Sequence, residues 1–524
     1  MWRISKFVRP DGQLEVEDAA SLATELGIPA ASLRGTASFY ADFVEPPGVR
    51  TCDGTSCFLC CGKELREELV KRGAPCRGVY CLGYCDQSPV ALAPDGLPLV
   101  LSMKTLPGIR SHGRLSIVTR RLVDGGAASL KKARRSGAYE ALAAALGGHP
   151  EVVLSAMDHS GQRGRGGAAF TTGRKWRTCA ESPADRRYVI ANGDEGDPGS
   201  FLDRVLMEED PHAILEGLLL CGFAVGAGEG IVFIRSEYPR AITAMQAAIR
   251  EAREAGLIGR DILGRGFDFE ISVFPGLGSY VCGEETALLN AIEGRRGEVR
   301  IRPPFPSQSG LHGFPTVINN VETLVNVPFI VADGGVTYST LGSTATTGTK
   351  ALCLNRGFAR PGIVEVEFGI PLRVVIEDLG GGARDGKRLA AVLIGGPMGS
   401  VVTPEDWDVP LCYGAMHERG IELGHGGLIA VPEDADFRGL LDHWIRFMIA
   451  ESCGKCVPCR LGSQCAANAL GASKSGAETR RRLEELFKAM EQGSLCAFGQ
   501  SMPQPMRQLI RHFGDRIFPS PSVP

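Results

Sequence analysis

A chain of 524 residues is long enough for three or four domains, and with 22% charged residues, 44% hydrophobic residues and a formal net charge of −3 it reads as an ordinary soluble globular protein, not a nucleic-acid binder or a disordered chain. The first twenty residues, MWRISKFVRPDGQLEVEDAA, lack the apolar core of a signal peptide, and the longest uncharged apolar run, Gly217–Gly228, is too short and too glycine-rich to span a bilayer. A cytoplasmic chain with no direct membrane span is therefore expected, and its 17 cysteines point to metal or redox chemistry rather than to disulfides.

The chain opens with DAASLATELGIPAASLRGTASFY, two short helical patterns split at Gly27, Ile28 and Pro29, followed by a cysteine-rich α/β stretch to about residue 110. Seven cysteines fall between Cys52 and Cys85. Cys52-x4-Cys57 and Cys81-x3-Cys85 form two pairs, which suits a 2Fe–2S centre with two thiolates per iron. Zinc ribbons favour tighter C-x2-C pairs. Cys60, Cys61 and Cys76 remain open as substitutes, and the second pair, in CLGYCDQSPVAL, sits in a loop at the start of a strand-like run.

Arg120–Ala145 reads as a basic, solvated connector passing into a helix. Residues 160–176, SGQRGRGGAAFTTGRKW, then gather bare backbone and positive charge, a composition suited to a phosphate. Gly164 to Ala169 has the form G-x-G-x-x-A, but the preceding EVVLSAMDHS suits a helix better than the strand a dinucleotide fingerprint requires. From about 150 to 335, strands such as Tyr188–Ala191 and Ile231–Ile234 alternate with helical stretches such as Pro239–Ala255, which predicts a largely parallel sheet. Beyond the loop TATTGTK, the runs ALCLNRG, GIVEVEFG and AAVLIGG predict a small β-rich module with one helical stretch, RVVIEDLGG. From about 435 the apolar spacing is helical.

Within that last region ESCGKCVPCRLGS places Cys453, Cys456 and Cys459 at C-x2-C-x2-C, so that three thiolates can converge on one polynuclear iron centre. Cys496, between Gly493 and Gly499, is the expected fourth ligand; Cys465 is its rival but lies in an alanine-rich helical stretch and is expected to pack. Structural zinc is the alternative. The scattered Cys179, Cys221, Cys282, Cys353 and Cys412 are expected to be small packing residues. Iron–sulfur centres on either side of a phosphate cradle describe electron transfer, and a flavin is the group that exchanges a two-electron hydride for single electrons.

In this order and spacing, RGRGGAAF, NGDEGDPGSFLDR, YVCGEETAL, RPPFP, INNVET and ESCGKCVPC resemble the NADH-oxidising, FMN-binding subunit of respiratory complex I and the diaphorase subunits of NAD-reducing hydrogenases and NAD-linked formate dehydrogenases. Residues from about 20 to 110 resemble the thioredoxin-like 2Fe–2S subunit that accompanies it, so the chain looks like a fusion of the two. The resemblance implies a multidomain α/β fold: a thioredoxin-like 2Fe–2S domain at 1–112, a Rossmann-like FMN and NAD(H) domain at 113–335, a small β-grasp-like domain at 336–432 and a helical 4Fe–4S domain, a bundle, at 433–524. It implies the cofactors FMN, NAD(H), one 4Fe–4S and one 2Fe–2S cluster. As partners it implies iron–sulfur electron-transfer subunits and a catalytic subunit, formate dehydrogenase or hydrogenase.

Carried over residue by residue, Gly164, Arg165, Gly166 and Gly167 match the cradle, Lys175 a lysine that contacts flavin and nucleotide, and Asn192, Asp194, Glu195 and Asp197 the polar cluster around the flavin. Tyr280, Gly283, Glu284 and Glu285 match a motif whose carboxylates bind ribose or flavin edge atoms; Asn319 and Asn320 match amides that hold FMN, and Phe170 and Phe305 stacking aromatics. No side chain is expected to act as a catalytic acid or base. Three departures predict altered nucleotide affinity with the chemistry intact: Ala169 and Thr171 in place of the family's GAGFPTG pattern, Thr178 where some members carry an aromatic, and Asp197 where glutamate is usual. The reading from a different class is a zinc-bearing structural or regulatory scaffold with a degenerate nucleotide site.

Overall fold

The computed structural model describes residues 21–25, 27, 29–44, 48–99, 106–472 and 476–519. The start of the first predicted helical pattern and Ile28 lie outside the described residues. The cysteine-rich segment forms a small three-stranded sheet in which Val49–Cys52 lies between a parallel neighbour, Cys76–Val79, and an antiparallel one, Ala91–Leu92. Cys52, Cys57, Val79, Leu82, Tyr84, Val90 and Leu92 pack into a core of their own beneath it.

The centre of the molecule is a four-stranded, wholly parallel sheet in the order Glu270–Pro275, Glu229–Ile234, Tyr188–Gly193, Thr316–Asn320. Its inner strands are apolar on both faces, as a sheet covered by helices requires; Val189, Ile190 and Ala191 are fully buried. The helix Pro211–Val225, buried along nearly its whole length, and Pro239–Glu254 cover it. The chain steps outward from Tyr188–Gly193 through the next two strands, then returns to that strand's other side with Thr316–Asn320. The order reverses between Tyr188–Gly193 and Thr316–Asn320, and in sheets of this kind that switch point, at the carboxyl ends of the strands, is where a ligand crevice lies.

A second, six-stranded mixed sheet runs Ser400–Val402, Leu389–Ile394, Gly427–Pro432, Thr349–Leu354, Gly362–Glu367, Ile109–His112. The last of these, at the expected end of the cysteine-rich domain, pairs in parallel with Gly362–Glu367. RVVIEDLGG is helical over Val374–Leu379, with π-type spacing. The chain ends in the helices Phe437–Glu451, Val457–Gly471, Gly476–Gly493 and Pro503–Ile517, joined by the short Ala497–Ser501, around Leu440, Trp444, Phe487 and Leu509. Cys179, Cys221, Cys282, Cys353 and Cys412 are all buried.

Candidate flavin and iron–sulfur site

The glycine-rich loop follows the helix Pro150–Ser160 and leads into Thr172–Glu181, so it is not the strand-to-helix turn of a dinucleotide fingerprint. It is closed on itself by Gly164 N–H to Phe170 O at 2.8 Å and Thr172 N–H to Gln162 O at 2.9 Å. Gly166 lies so close to the end of strand Thr316–Asn320 that a Cβ would sit 2.9 Å from that of Asn320. Ala169 holds φ +51°, a left-handed conformation at one of the departures from the family pattern.

The predicted polar residues converge on the switch-point crevice. Asn192 and Asn320 are register partners on adjacent strands, as are Ala191 and Asn319. Asn192 donates to Gly283 O at 2.9 Å, tying in the Tyr280–Gly283 turn. Lys175 donates to Ile318 O at 2.9 Å, and burial lowers its pKa against the pull of Glu285. Asp194 is buried, and burial pushes its carboxyl well up, with Arg235 opposing. Asp197, shorter than the family's glutamate, still reaches the hydroxyl of Tyr280, whose ring packs on Phe447 and Phe498 at 5.1 and 5.6 Å. Phe170 and Phe305 keep about half their surface exposed, at 48% and 51%. The Thr178 hydroxyl is turned back onto Arg174 O at 2.9 Å.

Other predicted side chains are committed to the protein. The Arg165 guanidinium is fully buried, donates to the Tyr338 hydroxyl at 2.9 Å and lies 4.7 Å from the centre of the Phe368 ring, and its backbone N–H donates to the Thr323 hydroxyl at 2.9 Å. Both carboxylate oxygens of Glu195 accept backbone amides, from Asp203 at 2.8 Å and Arg204 at 2.9 Å, capping the helix Leu202–Glu209. Glu284 caps Glu285–Ile292 through Thr286 and Ala287, and Glu285 pairs with Arg302 at 2.7 Å. Sequence reasoning missed the second wall of the crevice, which comes from the six-stranded module. Gly396 packs so closely that a Cβ would lie 2.9 Å from that of Asp197, and His425 lies 3.0 Å from Asp203. A lone histidine carries no spacing signal. Asp203, within DPGSFLDR, could have been noticed.

The four cysteines Cys52, Cys57, Cys81 and Cys85 are each at most 4% exposed. The sulfurs of Cys81 and Cys85 are 3.4 Å apart, and Cys52 hydrogen-bonds both Cys57 and Cys81. Cys60, Cys61 and Cys76 are at least partly exposed. The central domain closes over this set: Gly199 N–H points to the Cys85 sulfur at 3.3 Å, Arg204 donates to Gly83 O at 2.8 Å, and its guanidinium covers the Tyr84 ring at 3.9 Å. In the C-terminal set Cys453, Cys459 and Cys496 are buried and Cys456 partly so, with Ser452 Oγ 3.2 Å from the Cys459 sulfur. Cys465 is exposed on the helix Val457–Gly471, not packed as expected.

These residues fit the groups the motifs imply. Each set offers four cysteines as its donors, with Cys81 and Cys85 in sulfur contact in the first and Cys453, Cys456 and Cys496 all acting on Cys459 in the second, a donor type suited to iron–sulfur centres. At the crevice, the buried Lys175 ammonium uses one of its three donors on Ile318, beside a glycine-rich loop whose Gly164 and Arg165 amides are given to Phe170 O and Thr323 Oγ1, so the amides of Gly166 and Gly167 are the ones that suit a phosphate-bearing flavin.

Comparison with known proteins agrees. Residues 157–329 match the Nuo51 FMN-binding domain, 439–518 the NADH-ubiquinone oxidoreductase-F iron-sulfur binding region, and 4–106 the thioredoxin-like [2Fe-2S] ferredoxin. The chain is 42% identical over 380 residues to the HndC subunit of the NADP-reducing hydrogenase of Solidesulfovibrio fructosivorans, covering 72% of this chain and 77% of that one. It is 37% identical over 415 residues to the F subunit of the NADH-quinone oxidoreductase of Aquifex aeolicus (strain VF5), covering 79% and 96%. A crystal structure of NAD+-reducing [NiFe]-hydrogenase in the air-oxidized state superposes with a TM-score of 0.83 at 30% identity, over 98% of this chain and 92% of that one. The chain therefore belongs to the FMN-binding, iron–sulfur family of NADH-quinone oxidoreductase F subunits, with a thioredoxin-like [2Fe-2S] ferredoxin domain in the same polypeptide.

Proposed function

We propose that this chain is a diaphorase module, an NAD(H)-dependent oxidoreductase that exchanges electrons with iron–sulfur partner subunits and a catalytic subunit, hydrogenase or formate dehydrogenase. The observation that carries the reading is the convergence of the glycine-rich loop, Lys175, Asn192 and Asn320 on one switch-point crevice that lies between two cysteine sets. FMN supplies the conversion between a two-electron hydride and the single electrons that 4Fe–4S and 2Fe–2S centres carry.

The protein's own work is binding and orientation. Amides of Gly166 and Gly167 and the Lys175 ammonium would hold phosphate, Asn192, Asn319 and Asn320 would fix the edge of the ring, and Phe170 and Phe305 offer exposed faces for a nucleotide base. Glu285, held by Arg302, faces Lys175 as its counter-charge and can accept from a ribose hydroxyl. Tyr280 closes the crevice towards the C-terminal cysteines. No side chain needs to move a proton.

We read the domains as 1–112, 113–335, 336–432 and 433–524, with Ile109–His112 lent to the third as an edge strand. The second is Rossmann-like, the third β-grasp-like and the fourth a helical bundle. All 17 cysteines are free, which suits the cytoplasm, and no helix among the described residues is long and apolar enough to cross a membrane. Isolated holoprotein should reduce ferricyanide or a viologen dye with NADH, and NADPH should be run beside it. A flavin- and iron-replete protein inert with both nucleotides would sink the reading. A colourless, zinc-bearing protein would favour the scaffold.

A further inference from the structure

His425 sits on the segment between Leu423 and Gly427, in the six-stranded module, yet it is 4% exposed and buried against the flavin crevice. Its Nε2 is 3.0 Å from Asp203 Oδ2, and Asn320 Nδ2 donates to the same oxygen at 2.6 Å. Glu195, Asp203 and His425 bring ligand atoms within 4.8 Å of one another. Both Glu195 oxygens accept backbone amides, from Asp203 and Arg204, and Oε2 also accepts from the Tyr238 hydroxyl at 3.2 Å, so this carboxylate is held in place by the protein. Nδ1 of His425 and Oδ1 of Asp203 are buried without a protein partner, which marks the network as open to something polar in the crevice.

The groups that face His425 come from every element around it. Asp203 lies on Leu202–Glu209, Glu195 and Asp197 on the loop after Tyr188–Gly193, and Lys350 on Thr349–Leu354, where Glu322 pairs with it. Burial depresses the imidazole's pKa, but Asp203 and Glu195 outweigh burial and Lys350 and lift it to about 9. The side chain is then a cation at neutral pH.

We propose that His425 is a positioning residue of the flavin site, a buried cation that fixes Asp203 and Asn320 and raises the midpoint potential of the FMN bordered by Asn320. This rests on the crevice being the FMN site. The cation is paired with Asp203, so removing it leaves an unpaired carboxylate beside Asn320, and negative charge in a low-dielectric interior disfavours the form carrying more electrons.

The test is a redox titration of FMN in the holoprotein and in His425→Gln, with FMN content measured on both. The variant should keep FMN at a lower midpoint potential. The wild-type plot of potential against pH should change slope near the imidazole's titration, and the variant's should not. An FMN-replete variant with the wild-type potential overturns the proposal. Should the variant lose FMN or fail to fold, the wild-type plot decides, because a plot without that change of slope overturns it too. Gly166→Val, which drives a side chain into Asn320, separates the two levels. If it keeps full FMN, the crevice assignment fails; if it loses FMN while His425→Gln titrates as wild type, only the role of His425 fails.

Discussion

The two cysteine sets solve the same chemical problem in opposite surroundings. The N-terminal four are sealed: Gly199, Arg204 and Arg356 of later segments reach over their loop, Arg356 N–H binding Cys85 O at 2.9 Å and its side chain Ser88 O at 2.7 Å. Of the C-terminal four, Cys453, Cys459 and Cys496 are buried as well, and the set opens at one member. Cys456 is partly exposed, and Val457, Leu461 and Leu495 beside them are 54%, 51% and 45% exposed. A centre covered by later segments of its own chain is nearest to groups inside that chain, whereas an apolar rim around a centre suits a second protein. On this difference we propose the C-terminal set as the exit and the N-terminal set as an internal side position.

That assignment is broken or sharpened most strongly at the exit. Cys456→Ser and Cys496→Ser should each lose the 4Fe–4S centre, loosen the C-terminal helices and stop transfer to a partner, since bound metal contributes folding free energy. Cys465→Ser, on the exposed side of its helix, should change neither iron content nor low-temperature EPR. Unchanged spectra for Cys456→Ser would show that the ligand set is wrong.

The next effect lies upstream of both sets. Lys175→Ala removes the buried ammonium and should cut NADH–ferricyanide kcat/KM by about 10–100-fold while both cluster spectra survive, with Glu285→Ala weaker because Arg302 already draws on that carboxylate. Wild-type kcat/KM in both variants would remove the nucleotide pocket from this crevice.

Smaller still should be the consequence of emptying the sealed set. Cys57→Ser or Cys85→Ser should abolish a 2Fe–2S EPR signal yet leave NADH–ferricyanide turnover largely intact, if the N-terminal centre is a side position. Loss of turnover with the signal would put it on the obligatory path. Survival of the signal in both variants would mean that Cys60, Cys61 or Cys76 is a ligand, against their exposure.

What the sequence made legible were features carried by local spacing or by one residue type. The cysteine pairs, the glycine loop and the two asparagines each sit within a few residues of their partners, and the alternation of apolar strands and helices marked the parallel sheet. What it hid came from contacts between distant segments. His425 meets Asp203 across 222 positions, and nothing near His425 foretells a carboxylate. Glu195 and Glu284 were read as carboxylates at the flavin and nucleotide, and spacing alone gave them no other role. Only the fold shows that they cap the helices that follow them. The pairing of residues 109–112 with the edge of Gly362–Glu367 is likewise a contact between distant segments.

The joint between the two cysteine sets carries the last and smallest prediction. His443, on Phe437–Glu451, stacks on Phe58 with ring centres 4.6 Å apart, lies 3.3 Å from the Thr55 hydroxyl and 6.0 Å from the Tyr80 ring, so it pins the cysteine-rich domain to the C-terminal helices. Burial lowers its pKa to about 4 from an ordinary 6.5, with Asp442 opposing. The folded, docked state therefore holds it neutral, while the released state takes up a proton below its ordinary value. Stability from this residue is fully present above the ordinary value and falls as the pH drops towards the lowered one, by about 1 kcal/mol at roughly pH 5.5. His443→Phe keeps the stack on Phe58 and removes the titration. Its melting temperature should fall less than that of the wild type between neutral and mildly acidic pH, with the 2Fe–2S signal unchanged. Equal acid sensitivity in the two proteins would mean that this joint is not where acid separates the sealed set from the exit.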